Sequence, residues 1–393
     1  MFESITFSMQ NKLNPNAPLD IGLLVESMLF YKRVIVVASH TILKQLINYF
    51  NADRLIELIE EELLSILYTD THLGIITNTK NDIQYHDTCQ FSSPDHTYQD
   101  EIIRLCFDIY GKRGKSKRIS KRILDNIQIT KHDNIILKGT RESILNPKYV
   151  ENAAKVVIKE LVPEFRDIST IKFSTFKTSD GIVVDTNIDY SEINKLYHKN
   201  VSPKHSSITS ASILVHLLDA ERDLYFSSSR LSELASSNLS SKIVGQKINY
   251  MLSRGKKSKD TIDNFNNFIF NNGKSLREAV NLNQIDLDEL ISILKKSKRF
   301  KKWIVDLNPE EELVNKYYQE VTKKTIIDKL PGKSLRWAIF VGLGVVTDIV
   351  AAGGLATIGG AALGALDTFF LDKLINGWKP NQFIEEDVIK LLE

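Results

Sequence analysis

The stretch from Ser334 to Ile375 constrains this chain more than any other part of it, because it is long, apolar and rich in glycine. Ser334 can cap a helix that runs LRWAIFVGLGVVTDIVAA, and Gly353-Gly354 gives the chain a place to reverse, since glycine tolerates left-handed and crowded backbone. A second helix, Leu355 to Leu374, would return. Each arm is about 18–20 residues, or roughly 27–30 Å at 1.5 Å per residue, which matches the hydrocarbon thickness of a bilayer. Small or short residues recur at intervals of four, at Gly344, Asp348, Ala352, Ala356, Gly360, Gly364 and Thr368, and such spacing lets helix backbones approach closely. Folding about Gly353-Gly354 would bring Arg336 opposite Leu371 and close to Asp367 and Asp372, so an ion pair at the hairpin base could hide charges that lipid opposes.

The energetics of this hairpin are balanced. Leu, Ile, Val and Phe occupy 16 positions between 335 and 371. At about −0.3 to −0.6 kcal/mol each they favour insertion by roughly 5 to 10 kcal/mol, while Asp348 and Asp367 alone oppose it by roughly 5 to 7. The segment is therefore expected to pack within a folded body and to enter a membrane only when oligomerisation or contact with lipid tips the balance. On architecture alone it is similar to the buried hydrophobic hairpin of pore-forming colicins. The competing reading is a helical hairpin in a core or an oligomer interface, where glycine and alanine permit close packing.

The remainder reads as ordinary globular protein. A chain of 393 residues exceeds one core, and 42% hydrophobic with 25% charged residues argues against both disorder and wholesale membrane embedding. The net charge of +2 gives no global field toward nucleic acid or lipid, so attraction must come from local clusters. Cys89 and Cys106 are too few for a disulfide framework and lack CxxC spacing, which suits a reducing compartment. The opening MFESITFSMQNKLNPNAPLD has no positive segment followed by an apolar run, so a cytoplasmic protein is expected, conditionally associated with membrane.

The expected fold class is α+β, mostly helical: an N-terminal α/β region, a central β hairpin and a helical C-terminal domain that ends in the apolar hairpin. Residues 1–95 read as a small α/β domain, with a strand at 4–8, a helix at Ile21 to Tyr31, a β-branched run Val34 to Val37, and a helix capped by Ser39 through Phe50. A further helix begins at Asn51, and strands follow at Ser65 to Tyr68 and Leu73 to Thr77. Residues 96–200 form a mixed region with helices near Asp100 to Tyr110 and Lys148 to Val162. In it Ser169 to Phe176 and Gly181 to Thr186 flank the Asp180-Gly181 turn signal. Residues 201–330 read as helices at Ile208 to Tyr225, Ser229 to Ser236, Ser241 to Ser253, Thr261 to Phe270, Ser275 to Val280, Leu287 to Val305 and Glu310 to Leu330. The hairpin region spans 331–379, and 380–393 is an acidic amphipathic tail.

Chemistry is sparse. No GxxxxGK[ST], GxGxxG after a strand, HExxH, GxSxG or DxDxDG pattern occurs, so no catalytic residue, cofactor or metal site is assigned. Asp20, Glu26 and Asp70 could gather carboxylates at strand ends for a metal-dependent nuclease, but solvated surface positions are favoured. His216 and Asp219 share a helix face beside Glu221, where a hydrogen-bonded histidine is the simpler reading. His40 and His72 follow apolar runs, at strand ends where α/β sites form. Cys106 on an apolar helix face reads as core.

Three basic runs stand out: Lys112 to Arg122, Arg254 to Lys259, and Lys295, Lys296, Lys298, Arg299, Lys301 and Lys302 beside Trp303. Such runs can meet phosphates of anionic lipid or of nucleic acid. The working expectation is an effector or regulator with a conditional membrane-active hairpin, membrane-disrupting in a toxin-like or antiviral role, that self-associates and meets anionic membrane. The alternatives are a non-enzymatic scaffold in which the hairpin mediates oligomerisation, and a nucleic-acid-binding protein or nuclease using the basic runs.

Overall fold

Alternation in the first strand sets the layering of the molecule. In β1 (Ser4–Phe7), Ile5 and Phe7 enter the main core, while Thr6 and the following Ser8 face the opposite side and bond Ser232 and Asp223. Period-two side chains make such a strand a partition between an apolar layer and a polar one. The computed structural model describes residues 3–8, 18–69, 71–92, 97–254, 266–274, 276–305, 334–341 and 382–385, and among them it is a mixed α/β protein with two sheets.

The elements expected between Ile21 and Tyr68 are present. Helix α1 (Ile21–Phe30) is capped by the Asp20 side chain and leads into β2 (Arg33–Ala38). Helix α2 (His40–Glu60) is capped by Ser39 and broken at Asn51, whose φ of 54° restarts the helix with its own side chain accepting from Arg54 N at 3.0 Å. Strand β3 (Leu64–Tyr68) follows, and β1, β2 and β3 pair in parallel. Next, β4 (Thr71–Lys80) and β5 (Ile83–Ser92) form a long antiparallel hairpin. Its turn places Asn81 and Asp82 at φ 51° and 62°, the left-handed pair that a two-residue hairpin loop requires. Strand β5 was not among the expected elements, and Asn81-Asp82 is the signal that marks it.

Helices α3 (Tyr98–Tyr110) and α4 (Arg113–Asn126) precede a short parallel strand β6 (Gln128–Ile129) beside β3. Helices α5 (Asn134–Ile144) and α6 (Pro147–Leu161) lead to the central hairpin. That hairpin forms about the Asp180-Gly181 step as strands β7 (Phe173–Lys177) and β8 (Ile182–Thr186). They join β4 and β5 in a four-stranded sheet of order β4-β5-β8-β7. Helices α7 (Tyr190–Asn200) and α8 (Ser210–Ser229) follow.

After residue 201 the structure departs from an all-helical reading. Part of the expected helix Ser229 to Ser236 is strand β9 (Glu233–Ser237), which pairs in parallel with β1 and runs directly into α9 (Asn238–Arg254). The described part of Thr261 to Phe270 falls in β10 (Asn266–Lys274), where an asparagine-rich FIF run has weak helix propensity. Helices α10 (Leu276–Asn281) and α11 (Leu287–Val305) match the sequence closely. Ser334–Val341, read as the first turns of the hairpin helix, is strand β11, and Gln382–Glu385 is strand β12. Trp337, Ile339, Phe340 and Val341 are aromatic or β-branched, and a neighbouring strand outweighs helix propensity for such a run. Glu310 to Leu330 and residues 342–381 lie outside the described residues.

The large sheet has the order β10-β11-β12-β9-β1-β2-β3-β6. One face, with α1, α2, α3, α4, α10 and α11, holds the main core. The other face offers Ile35, Val37 and Leu67 to Phe226 of α8, and a second core joins α5 through α9 with the smaller sheet. Gly22 shows how tightly α10 docks on α1: a Cβ there would lie 2.3 Å from the Arg277 carbonyl oxygen, and Gly22 N donates to Asn281 Oδ1 at 2.8 Å. We expect Gly22→Ala to destabilise the fold by about 1–3 kcal/mol through this overlap, read as a lowered urea midpoint at unchanged slope.

Candidate functional site

In an open parallel sheet, ligands bind beyond the carboxyl ends of the strands at the point where strand order reverses. Here β1, β2, β3 and β6 progress in one direction while β9 lies on the other side of β1, so the reversal falls between β1 and β9. The polar face of β1 ends at this point in Ser8. Helix α8 crosses it and supplies three charged side chains.

Arg222 is the centre of the cluster. Its Nη2 donates to Asp223 Oδ1 and to the Ser8 carbonyl, both at 3.0 Å, and its Nη1 lies 3.3 Å from Asp219 Oδ1. Asp223 also accepts from the Ser8 hydroxyl and, at 3.1 Å, from Ser240 Oγ near the start of α9. Burial works against the Arg222 charge, but Asp223 and Asp219 outweigh it and raise its pKa. The Asp223 carboxyl is pushed upward by burial, with Arg222 opposing. Asp223 is sealed at 2% exposure, whereas Arg222 and Asp219 reach solvent at 14% and 17%, so the cluster has a buried floor and an accessible rim.

A histidine stands beside this rim. His132, after β6, binds Thr71 Oγ1 through Nδ1 at 2.6 Å and packs edge-on against Phe226. Burial, with Arg222 and His72 adding repulsion, lowers its pKa to about 3, so the ring is neutral at physiological pH. Because His132 is tied to a threonine and Ser8 donates to Asp223, these contacts form no serine–histidine pair for nucleophilic attack. The arrangement offers a guanidinium, hydroxyls and a carboxylate rim to a polar ligand.

Of the residues read from the sequence, His72 and Asp219 meet this cluster. His40 begins α2 after β2 but is set among Glu101, Lys44 and Asp108 of α3 and α2, and burial lowers its pKa. His72 lies at the start of β4 within electrostatic reach of His132. Asp219 serves the cluster through Arg222, while Glu221 turns to the other side of α8, where Oε1 lies 2.9 Å from Lys247 Nζ and accepts from Ser143 Oγ at 2.7 Å. Lys247 Nζ donates to Ser143 Oγ at 2.6 Å. With Glu221 and Lys247 at 0% and 1% exposure, this second cluster joins α5, α8 and α9 out of reach of a substrate. Ser8, Arg222, Asp223, Ser240 and His132 were not singled out from the sequence. The alternation of Ser4, Thr6 and Ser8 against Ile5 and Phe7 was the available signal for one wall.

Other candidates fall elsewhere. Asp20 and Glu26 meet Arg277: its guanidinium bonds Asp20 Oδ2 at 2.5 Å, and its backbone N donates to Glu26 Oε1 at 2.7 Å. Burial would raise the pKa of Asp20, but Arg277, Leu23 N and Asn281 together lower it, whereas burial leaves Glu26 well above the usual carboxylate range. Neither carboxylate is a solvated surface group as expected: Glu26 is buried and Asp20 nearly so, because both serve Arg277 and fasten α10 to α1, and Asp70 lies outside the described residues. Among the described residues no group of three or more His, Cys, Asp or Glu could hold a metal ion. Cys106 is buried in the main core, with its pKa raised to about 11 by burial.

The third basic run forms the end of α11, where Lys295 pairs with Glu57 and Lys298 with Glu61 at 3.0 Å, so two of its cations face α2. Lys296 also lies in α11, as do Arg299, Lys301 and Lys302. Of the hairpin positions, Arg336 lies in β11, while Gly344, Asp348, Ala352, Ala356, Gly360, Gly364, Thr368, Asp367 and Asp372 are outside the described residues. No helix among the described residues is long and apolar enough to cross a membrane.

Two outcomes test this reading. Because His132 has a folded pKa near 3 against an ordinary 6.5, the unfolded chain takes up the proton first. The stability that this residue contributes is complete above pH 6.5 and is lost as pH falls toward 3. Urea midpoints should decline less steeply over that range in His132→Asn than in the parent chain. Lys247→Met, which strips Glu221 of its buried cation, should cost about 3–5 kcal/mol, and adding Glu221→Leu should restore most of it in the same unfolding measurement.

Compared with known protein families, curated proteins and solved structures, the chain matches none.

Proposed function

We propose that the chain is a cytoplasmic effector or regulator whose folded body carries a conditional membrane-active segment, membrane disruption in a toxin-like or antiviral defence role being its most concrete form. One observation carries the reading. Strands β11 and β12 are antiparallel neighbours, with Ile339 opposite Phe383, and β12 is parallel to β9. Val341, the end of β11, and Gln382, the start of β12, thus lie at the same end of the sheet, one strand spacing apart. Antiparallel neighbours need only a few connecting residues. Here the connection is the whole glycine-rich apolar stretch.

Holding Ser334–Val341 in the sheet also restrains that stretch. It leaves residues 342–352 for the first arm, about 16 Å as helix, roughly half the hydrocarbon thickness of a bilayer. A full span requires β11 to leave β10 and β12 and become helix, so strand pairing acts as the brake on insertion. The Arg222 cluster lies at the opposite, carboxyl edge, and β9 pairs with both β1 and β12. A ligand bound at the cluster would reach the brake through β9.

The recurrence of small residues every four positions favours a second reading, a non-enzymatic scaffold that self-associates through the same stretch. Dye release from anionic liposomes separates the two. On the membrane reading the purified chain releases dye, Gly360→Leu with Gly364→Leu abolishes release in a folded monomer, and a disulfide between Ile339→Cys and Phe383→Cys blocks release until it is reduced. Absence of the protein from floated liposomes under all conditions would reject it. On the scaffold reading the glycine substitutions instead change the mass in solution with no lipid present.

A further inference from the structure

Helix α4 carries the most one-sided charge among the described helices. Residues 112–126 hold seven Lys or Arg and one acid, Asp125, against +2 for the whole chain. Its inner face is fixed: Ile119 and Ile123 are buried in the main core, and Ser116 Oγ donates to the Cys106 carbonyl at 3.2 Å. Two of the cations are engaged, Arg122 with Asp53 at 2.5 Å and Lys115 over the Tyr110 ring at 4.6 Å. Lys112, Arg113, Lys117, Arg118 and Lys121 are exposed and form no ion pair among the described residues. Arg113, Lys117 and Lys121 fall at i, i+4 and i+8, a row rising about 6 Å per step, with Arg118 alongside.

The chemistry of that face selects its partner. Every exposed position from 112 to 125 is Lys, Arg, Gly or Asp. An interfacial helix binds lipid by sinking an apolar face into the headgroup region, and the apolar face of α4 is already spent on the core. Single strands are held by stacking bases on aromatic side chains, and this face has none. A rigid convex rod of cations, pinned behind α3 by the left-handed Gly111 at φ 66°, matches closely spaced phosphates that are themselves rigidly placed. The position in the sheet agrees: α4 leads into β6 at one end, while the apolar stretch departs beside β12, five strands away.

We propose that α4 docks on the phosphate backbone of double-stranded nucleic acid through Lys112, Arg113, Lys117, Arg118 and Lys121, without reading base sequence. This surface lies on the opposite face of the large sheet from the Arg222 cluster. The test is fluorescence anisotropy of the full chain with a labelled 20-base-pair DNA duplex of mixed sequence across a salt series. Binding should weaken steeply with salt, and K117Q/R118Q/K121Q should lower affinity at least tenfold at low salt and reduce the log–log salt slope by about 2–3, at roughly 0.9 per lost phosphate contact. The charge-preserving pair K117R/K121R should bind as the parent does, and circular dichroism of each variant separates lost charge from lost fold. Failure to bind duplex, equal binding by the triple variant, or binding to phosphatidylserine vesicles that duplex does not displace would overturn the proposal.

Discussion

A charge buried without its counterpart is costly enough to unfold a domain of ordinary stability, and α8 carries such charges on two sides. Glu221 faces α5 and α9 and meets Lys247; Arg222 and Asp223 face the end of β1 and meet Ser8 and Ser240. The helix can occupy its place only if both sets of partners arrive. This requirement ties the two cores together, because the Lys247 side belongs to the helical half and the Ser8 side to the parallel sheet. Hydroxyls at Thr6, Ser227 and Ser232 continue the same seam to the start of β9. The polar seam gives α8 one position along the sheet, where an apolar contact alone would tolerate sliding.

The seam also takes up the groups that a reaction centre would need. Its charges are largely consumed by one another: the guanidinium of Arg222 is shared between two aspartates, and the imidazole of His132 is neutral and held by Thr71. What remains accessible is a rim suited to holding a polar ligand. The basic runs divide on the same principle. Lys295 and Lys298 are turned toward Glu57 and Glu61, while much of α4 keeps its charge for solvent. Runs that look alike as sequence differ in what lies opposite them.

Local signals carried the first half of the fold. Ser39 as a cap, Asn51 as a break, and the Asp180-Gly181 turn each act within a few residues, so they are visible without knowledge of the fold. Leu287–Val305 was legible for the same reason, through its periodic apolar face. Strands β9, β10 and β11 were not, because their pairing partners are far away in the chain. Glu233–Ser237 is a short serine-containing run that becomes a strand beside β1, some 230 residues earlier. Ser334–Val341 is apolar enough for either structure, and pairing with β10 and β12 decides it. The Arg222 cluster was half visible: His72 and Asp219 could be placed near a strand end or on a helix face, but Arg222 and Asp223 gain their meaning from Ser8, which no spacing rule links to them.

The placement of β12 beside β9 bears on how the chain is made. β9 can join β1 as soon as α9 has been synthesised, yet the neighbour on its other side is Gln382–Glu385, about 150 residues later. Between β11 and β12 a ribosome working at about 5–20 residues per second spends roughly 2–8 seconds on residues 342–381. During that interval β11 can pair only with β10, because it reaches the large sheet through β12. The nascent protein passes through a stage in which the β10–β11 pair, and the stickiest segment that follows it, have no strand of the large sheet to join, and any factor that shields or captures that segment must act in those seconds.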